Sequence, residues 1–539
     1  MATYHNSTLA DLVAGKLATH ADCIVLTIEG AGVRPDETRS YAQLWDNGQR
    51  LAGGLRRLGV QRGDMFALLM ANHAEFVDAM VAASLLGAVF VPVDPRTRGD
   101  KLAYLLATAN CRGVIAADYA LTALQEVRSR VASLQWVIGL TSGEDAPAVA
   151  NFSGVQPYDA ALAPASEVVP VPECHPDDAM QLIYTSGTTG DPKGIVMTHR
   201  RYCETAALTP RLFGYLVDDR PYSGLSLTHA NAQLVTLGAS LSAGMQCVLS
   251  RRFTKSRLWQ ITRKYGCTSF SLLGGMTTAV YAEAQQNDDA DNPVRFVVSA
   301  GMPMAIWRDF EQRFNVQILE FYGAAEGGLT IKPINAGPAG SIGKAIPTLK
   351  YRIVDDEGQD VPQGQPGELL FQAANGEPFQ IEYYGNPEAS ALKCKGGWLH
   401  MGDVVREDEH GWLYFEYRKG SGIRRNGDFV DTAYIEKAIA ESPAVDDVYV
   451  YGIPAANGAP GEKDVVAAVV PKAAPLTEPF DAQALFQICR AKLEANFIPS
   501  YIQVVRQIPK TASEKPQERF LADAFKTDCT GIHREVRRT

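Results

Sequence analysis

Apolar residues recur at helical spacing through Leu44–Leu58, and Gly59 and Gly63 close the run. Asp64–Met70 then reads as strand, Phe76–Leu86 as helix, Val89–Val93 as strand, Lys101–Thr108 as helix and Gly113–Ala116 as strand. Alternation of this kind predicts α/β layers. It resumes with strands at Cys267–Leu273, Arg295–Ser299 and Val316–Tyr322 and a helix over Trp307–Phe314. Pattern alone leaves purely parallel, Rossmann-like and mixed sheets open. The apolar stretch Ala79–Val93 contains Pro92 and runs into Asp94, so it reads as a buried helix followed by a strand and not as a membrane span.

Past residue 340 the texture changes. Short strands at Tyr351–Val354, Glu368–Phe371 and Trp412–Phe415, broken by Gly, Pro and Asp, predict an antiparallel, β-rich subdomain. The charged, glycine-containing segment Arg418–Asp428 looks like a junction. Beyond it come a helix (Ala433–Ala440), strands at Val445–Tyr451 and Asp464–Val470, a helix (Asp481–Leu493) and a strand near Ile502–Val505. That is material for a small α+β C-terminal domain, ending in a polar tail after residue 522.

The 539 residues are 46 % apolar, enough for a large core and more than one domain. A formal net charge of −10 disfavours a nucleic-acid scaffold or a binder of acidic membranes, but leaves room for a small anionic ligand held locally. The nine cysteines are scattered, odd in number, and no two sit two residues apart. This argues against a disulfide framework and fits a reducing cytoplasm. The first residues have no basic segment followed by an apolar run, so no secretory signal is expected.

The clearest candidate chemistry lies between Gln181 and Met197, where a strand, a loop and a second strand are predicted. The loop reads Thr185-Ser186-Gly187-Thr188-Thr189-Gly190-Asp191-Pro192-Lys193-Gly194. Glycines allow a tight turn that presents backbone N–H groups, hydroxyls add donors, and Lys193 adds a mobile positive charge. Together they suit a polyphosphate whose charge redistributes during reaction. A plain surface turn is the competing reading of GTTG alone. The loop is not a Walker A element, because Asp191 and Pro192 separate Gly190 from Lys193.

With the preceding tyrosine this loop is YTSGTTGDPKG, which resembles the most diagnostic motif of the adenylate-forming superfamily, YTSGTTGxPKG, found in acyl-CoA synthetases, firefly luciferase and peptide-synthetase adenylation domains. Further motifs match in order, and the resemblance runs from residue 12 to residue 520. It implies an α/β fold with an ATP- and acyl-binding N-terminal domain over residues 1–420 and a mobile α+β domain over residues 421–539 that carries the catalytic lysine. Ser299-Ala300-Gly301-Met302-Pro303 resembles the turn lining the nucleotide and acyl sites. In Glu320–Gly327, similar to the YGxTE motif, Tyr322 and Gly323 would meet adenine, and Glu326 with Thr185 would hold Mg²⁺. Asp403 would accept from the ribose hydroxyls, and Arg418 would reach ribose or phosphate. Lys515 would contact the carboxylate and the α-phosphate during adenylation. Arg424 and Gly427 would face coenzyme A. His229 would stand between the nucleotide and acyl sites, a core histidine satisfied by backbone being the alternative.

Four positions depart from the pattern: Ala325 and Met401 replace threonines, Ser421 replaces the hinge aspartate and Glu514 replaces the glycine before the lysine. The resemblance implies an acyl-CoA ligase using ATP, Mg²⁺ and coenzyme A on a small-molecule carboxylic acid, nearest in type to carnitine/crotonobetaine-type or medium-size acyl-CoA ligases. An enzyme that passes its acyl group to a carrier protein and a non-catalytic nucleotide-binding homologue are the alternatives. An α-amino acid would need an acidic partner for its ammonium, and Thr228–Gln233 supplies none. Gly274 and Gly275 are expected to leave room at the pocket wall, with Met276 as adaptable lining. Among partners the resemblance allows a homodimer but no nucleic acid and no stable membrane insertion.

Overall fold

The computed structural model describes residues 7–32, 34–167, 169, 174–185, 192–419, 423–425, 428–430, 432–456, 463–472, 480–493, 497–511, 514–526 and 530–535. The first α/β layer is a seven-stranded sheet. Its strands follow the order Gln156–Pro157, Trp136–Leu140, Gly113–Ala117, Met65–Leu69, Val89–Val93, Ala179–Thr185 and Lys193–Thr198. All neighbours are parallel except the last pair, which is antiparallel. Side chains alternate across the central strands. Phe66, Leu68, Phe90, Ile115 and Ile138 enter one core, while Ala67, Leu69, Val91, Val114 and Val137 enter another. Burial on both faces is why these strands read as continuous apolar runs.

The second sheet has nine strands, in the order Lys344–Ala345, Gly327–Lys332, Gln317–Ala324, Phe296–Ala300, Ser269–Leu273, Pro221–Ser223, Cys247–Ser250, Ile24–Glu29 and Glu37–Ser40. Its centre is parallel and its ends are antiparallel, so both layers are mixed sheets. Helices Tyr41–Arg57 and Ala74–Leu86 share one core with both sheets. Ser40 and Gln43 form a capping box that fixes the start of the first helix. Gly48 lets the two helices meet, since a Cβ there would lie 2.5 Å from Val81 Cγ1. Every residue of Ala74–Leu86 except Glu75 is buried, which accounts for its apolar composition. No helix among the described residues is long and apolar enough to cross a membrane.

The β-rich subdomain is a four-stranded antiparallel sheet of Leu349–Val354, Gly367–Ala373, Leu399–Glu407 and Leu413–Arg418. The expected boundary at 420/421 falls on residues 420–422, outside the described residues. The C-terminal unit has its own core, which joins helices Thr432–Ala440 and Ala482–Lys492 to a sheet of Val445–Pro454, Lys463–Pro471, Tyr501–Val504 and Ile532–Arg534. The expected polar tail is corrected here. Helix Glu518–Ala524 buries Leu521, Phe525 packs edge-on against Tyr501 at 5.2 Å between ring centroids, and Ile532–Arg534 pairs antiparallel with Tyr501–Val504. Phe520, Leu521, Phe525 and Ile532 are too sparsely spaced among charged and polar residues to signal burial from sequence. The open wall expected at Gly274 is corrected as well. A Cβ there would come 2.9 Å from the Gly301 carbonyl, so the missing side chain admits a neighbouring backbone and not a ligand.

Candidate active site

The parallel strands Ser269–Leu273, Phe296–Ala300 and Gln317–Ala324 end side by side, and their C-terminal ends carry Gly274, Gly301 and Tyr322. In open α/β sheets such ends face ligand crevices. Gly301 adopts φ +98°, a conformation that a side chain disfavours. Glu320 holds this turn: its Oε1 accepts from Gly301 N at 2.5 Å, and both its oxygens accept from Met302 N at 3.3 and 3.2 Å. Ala300 closes the strand just before it.

Glu320 is fully enclosed, and burial pushes its pKa up to about 8, against the favourable backbone donors and Lys332 opposite on the next strand. Unfolding would release its proton near the ordinary 4.5. Between these values the folded chain binds more protons, so this group makes stability fall as pH rises. Glu320→Gln keeps an oxygen acceptor for the turn and removes the titration. Chemical denaturation at several pH values is expected to show the variant gaining on the parent as pH rises, by up to about 1.4 kcal/mol per unit. A constant difference would refute this.

Two carboxylates form the centre of the site. Asp403, buried on Leu399–Glu407, accepts from the Tyr322 hydroxyl at 2.5 Å through Oδ2 and faces Arg418 Nε at 3.3 Å through Oδ1. Asp403 and Arg418 are direct partners across adjacent strands, so sheet register sets their meeting. Glu326 is also buried and accepts from the Tyr383 hydroxyl at 2.8 Å through Oε1. Gly323 follows Tyr322 on Gln317–Ala324 and pairs with Leu329.

Sequence reasoning did not find Tyr383. The strand Lys193–Thr198 bridges to it at Ile195, Val196 N donates to the Glu382 carbonyl, and Tyr384 N donates to the Gly194 carbonyl. The Lys193 ammonium lies 5.5 Å from the Tyr383 ring centroid. One aromatic residue thus ties the strand Lys193–Thr198 to Glu326. Thr185 ends the preceding strand, and its side chain lies outside the described residues, as do Ser186, Gly187, Thr188, Thr189 and Gly190.

Two further cations were also missed. Arg201, in the first turn of helix His199–Leu212, donates to the Ala325 carbonyl and faces Glu326. Lys393 donates to the Met401 carbonyl at 3.3 Å; burial lowers its pKa, and Glu326, Arg418 and Asp403 act on its charge. Neither residue belongs to a quoted motif, and a lone cation carries no signal without its neighbours. The side chain of Met401 itself is buried among Phe371, Leu399 and Leu413. That departure from threonine therefore faces a hydrophobic core.

Lys515 reaches this cluster from the C-terminal unit. It sits on a turn closed by Thr511 N to Lys515 O at 2.8 Å and by the Lys510–Pro516 bridge. The residue as a whole is exposed, yet protein around its ammonium end lowers its pKa by desolvation, and Arg418 lowers it further, while Asp403 and Glu326 oppose the shift. His229 stands close enough for Lys515 to depress its pKa. Burial is the larger cause, and the two bring it down to about 3. His229 is therefore neutral near pH 7. Its Nδ1 accepts from Asn231 N at 3.2 Å, which leaves Nε2 as the protonated nitrogen. One ring nitrogen of His229 is thus satisfied by backbone, as the alternative reading expected.

Around Glu326 and Asp403 the structure thus gathers Lys193, Arg201, Lys393, Arg418 and Lys515. Cations in excess suit a polyphosphate. Arg424 stands on a short hairpin of Arg424–Arg425 with Asp428–Phe429; its side chain and Gly427 lie outside the described residues.

A family profile described as AMP-binding enzyme matches residues 17–376, and one described as AMP-binding enzyme C-terminal domain matches residues 434–515. The chain is 31 % identical to the medium/long-chain-fatty-acid–CoA ligase FadD17 of Mycobacterium marinum, across 92 % of this chain and 93 % of that one. It is 27 % identical to the crotonobetaine/carnitine–CoA ligase of Salmonella enteritidis, across 88 % and 91 %. The fold resembles the crystal structure of the anthranilate CoA ligase AuaEII in complex with anthranoyl-AMP, with TM-score 0.82 and 23 % identity over 96 % of this chain and 97 % of that one. Hits to both profiles, with relatives matched along almost their whole length, place the chain in the AMP-binding enzyme family, on its acyl-CoA synthetase branch.

Proposed function

We propose that this enzyme activates a fatty acid of medium or long chain as its acyl-adenylate, releasing pyrophosphate, and then transfers the acyl group to coenzyme A, releasing AMP. The reading is supported by Asp403 held between Tyr322 and Arg418, by Glu326 on Tyr383, and by Lys515 lying near enough for its charge to act on His229 and to feel Asp403 and Glu326. In the first step a carboxylate oxygen attacks the α-phosphorus and pyrophosphate leaves. Negative charge builds on the non-bridging oxygens, and the Lys515 ammonium stabilises it more than it stabilises free ATP. Lys193 and Lys393 supply charge for the departing pyrophosphate, and Arg201 holds the backbone beside Glu326.

Tyr383 occupies Oε1 of Glu326, so Oε2 is the oxygen suited to Mg²⁺, a hard cation that neutralises phosphate charge when bound. Tyr322 offers a face for adenine, and Asp403 has lone pairs left for the ribose hydroxyls beyond those used by Tyr322 and Arg418. In the second step the thiol sulfur attacks the acyl carbonyl carbon, its proton passes to solvent, and AMP departs. Arg424 and Gly427 are the positions assigned to the coenzyme.

The acid is read as an uncharged chain because Thr228–Gln233 offers no carboxylate for an ammonium, and the FadD17 relative supports an alkyl substrate. A coupled AMP-release assay with coenzyme A across a carboxylic acid library tests this. AMP release that needs both a medium- or long-chain fatty acid and coenzyme A is expected. Release that ignores coenzyme A, or is confined to amino acids, would refute the reading.

A further inference from the structure

Glu514 is one of the few residues other than glycine with a left-handed backbone, at φ +58°, and it immediately precedes Lys515. A Cβ is disfavoured there, and glycine would sit without strain. What the glutamate adds is a carboxylate, and this carboxylate crosses to the other unit. Its Oε1 lies 3.9 Å from Arg96 Nη1.

Arg96 is itself preset. It follows the strand Val89–Val93, and its Nε donates to both oxygens of Asp94 at 3.2 Å while Nη2 donates at 3.1 Å. The turn is also anchored at its other end, where Lys510 Nζ meets Asp447 Oδ2 at 2.6 Å. Two more pairs bridge the same units. Lys255 Nζ lies 3.0 Å from Asp446 Oδ1 and 3.2 Å from Glu283 Oε1. Lys437 Nζ donates to the Ala305 carbonyl at 2.5 Å and lies 3.3 Å from Asp309 Oδ2.

We infer that Arg96 and Glu514 form a clasp that positions Lys515 in the adenylation cleft, in the docking orientation that Lys255–Asp446 and Lys437–Asp309 also fasten. Arg96 and Glu514 are positioning residues, and the inference rests on the role proposed for Lys515. The pair exists only when the Lys515 turn lies against the seven-stranded sheet, so it favours adenylation and contributes nothing to thioester formation. An exposed pair of this kind is worth about twofold to fivefold in the population it favours.

The two half-reactions are to be measured separately at low and high salt. Pyrophosphate–ATP exchange reports adenylation, and acyl-CoA formation from supplied acyl-adenylate reports the second step. Glu514→Gln and Arg96→Met are each expected to lower exchange about twofold to fivefold at low salt, with the second step undiminished. The double variant should be no slower than either single one, and high salt should erase the difference from the parent. Glu514→Gly removes the strain and keeps the fold, and it should lose exchange as Glu514→Gln does.

Parental exchange in Glu514→Gly would overturn the clasp. So would multiplying effects in the double variant, equal loss in both half-reactions, or an effect of Glu514→Gln with none of Arg96→Met, which would mean that the carboxylate acts on Lys515 directly. Lys515→Ala separates the two readings. If it retains exchange, the role of Lys515 falls; if it loses exchange while the Glu514 and Arg96 variants do not, the clasp alone falls.

Discussion

Lys515→Ala is expected to slow adenylation about 10²–10³-fold while leaving acyl-CoA formation from supplied acyl-adenylate near the parental rate. Lys515 sits on a turn with its own backbone hydrogen bonds, within electrostatic reach of Arg418, Asp403 and Glu326, and in the role proposed for it the ammonium stands near the reacting phosphate before ATP arrives. A preset cation costs little reorganisation as phosphate charge develops, which is why losing it weighs on the rate more than on binding. Exchange kinetics should therefore show a fall in kcat with a small change in the KM for ATP. The lowered pKa of Lys515 adds a second signature. The parent should lose adenylation on the alkaline side sooner than an ordinary lysine would allow, because the cation is the working form, and the second step should lack that limb. Equal losses in both half-reactions would contradict the assignment.

Asp403→Asn should weaken ATP binding about tenfold to a hundredfold, the range expected when a buried hydrogen bond to a charged group is lost. Asp403 accepts from Tyr322 on one oxygen and pairs with Arg418 on the other. An asparagine can accept on one side only, and its amide N–H groups face either the tyrosine hydroxyl or the guanidinium. Titration calorimetry with ATP measures the loss. Substrate deletion sharpens it: the parent should bind ATP more tightly than its 2′- or 3′-deoxy analogue, and the gap should close in the variant. If the gap stays open, Asp403 does not meet the ribose.

Much of this architecture was legible because burial leaves a periodic trace. The helix expected over Leu44–Leu58 is Tyr41–Arg57, and Trp307–Phe314 is found with the expected bounds. Antiparallel texture past residue 340 corresponds to the four strands from Leu349 to Arg418. The π-helical run Asn231–Gly238 left no such trace, since its widened turns depend on tertiary contacts such as Tyr202 Oη to the Gln233 carbonyl at 3.2 Å. Helix Glu518–Ala524 and strand Ile532–Arg534 were hidden by polar composition.

The candidate site divides in a similar way. Residues inside contiguous motifs, Glu326, Asp403, Arg418 and Lys515, were named from the sequence, and they lie together. Tyr383 and Arg201 were not named, because each contributes through a partner far away in the chain: Glu326 is 57 residues from Tyr383, and Ala325 is 124 from Arg201; Lys393 was not named because it belongs to no motif. Glu514 was noticed as a replaced glycine whose carboxylate stands next to Lys515 in the chain. Its positive φ and its approach to Arg96 turn that departure into a structural feature.

Isotope transfer tests the central claim most directly. With a carboxylic acid labelled with ¹⁸O at both oxygens, ATP and coenzyme A, attack of the carboxylate on the α-phosphorus places one labelled oxygen in AMP and leaves pyrophosphate unlabelled. Mass spectrometry of the two products is expected to show that distribution. Label in inorganic phosphate, or AMP formed without label, would contradict activation through an acyl-adenylate.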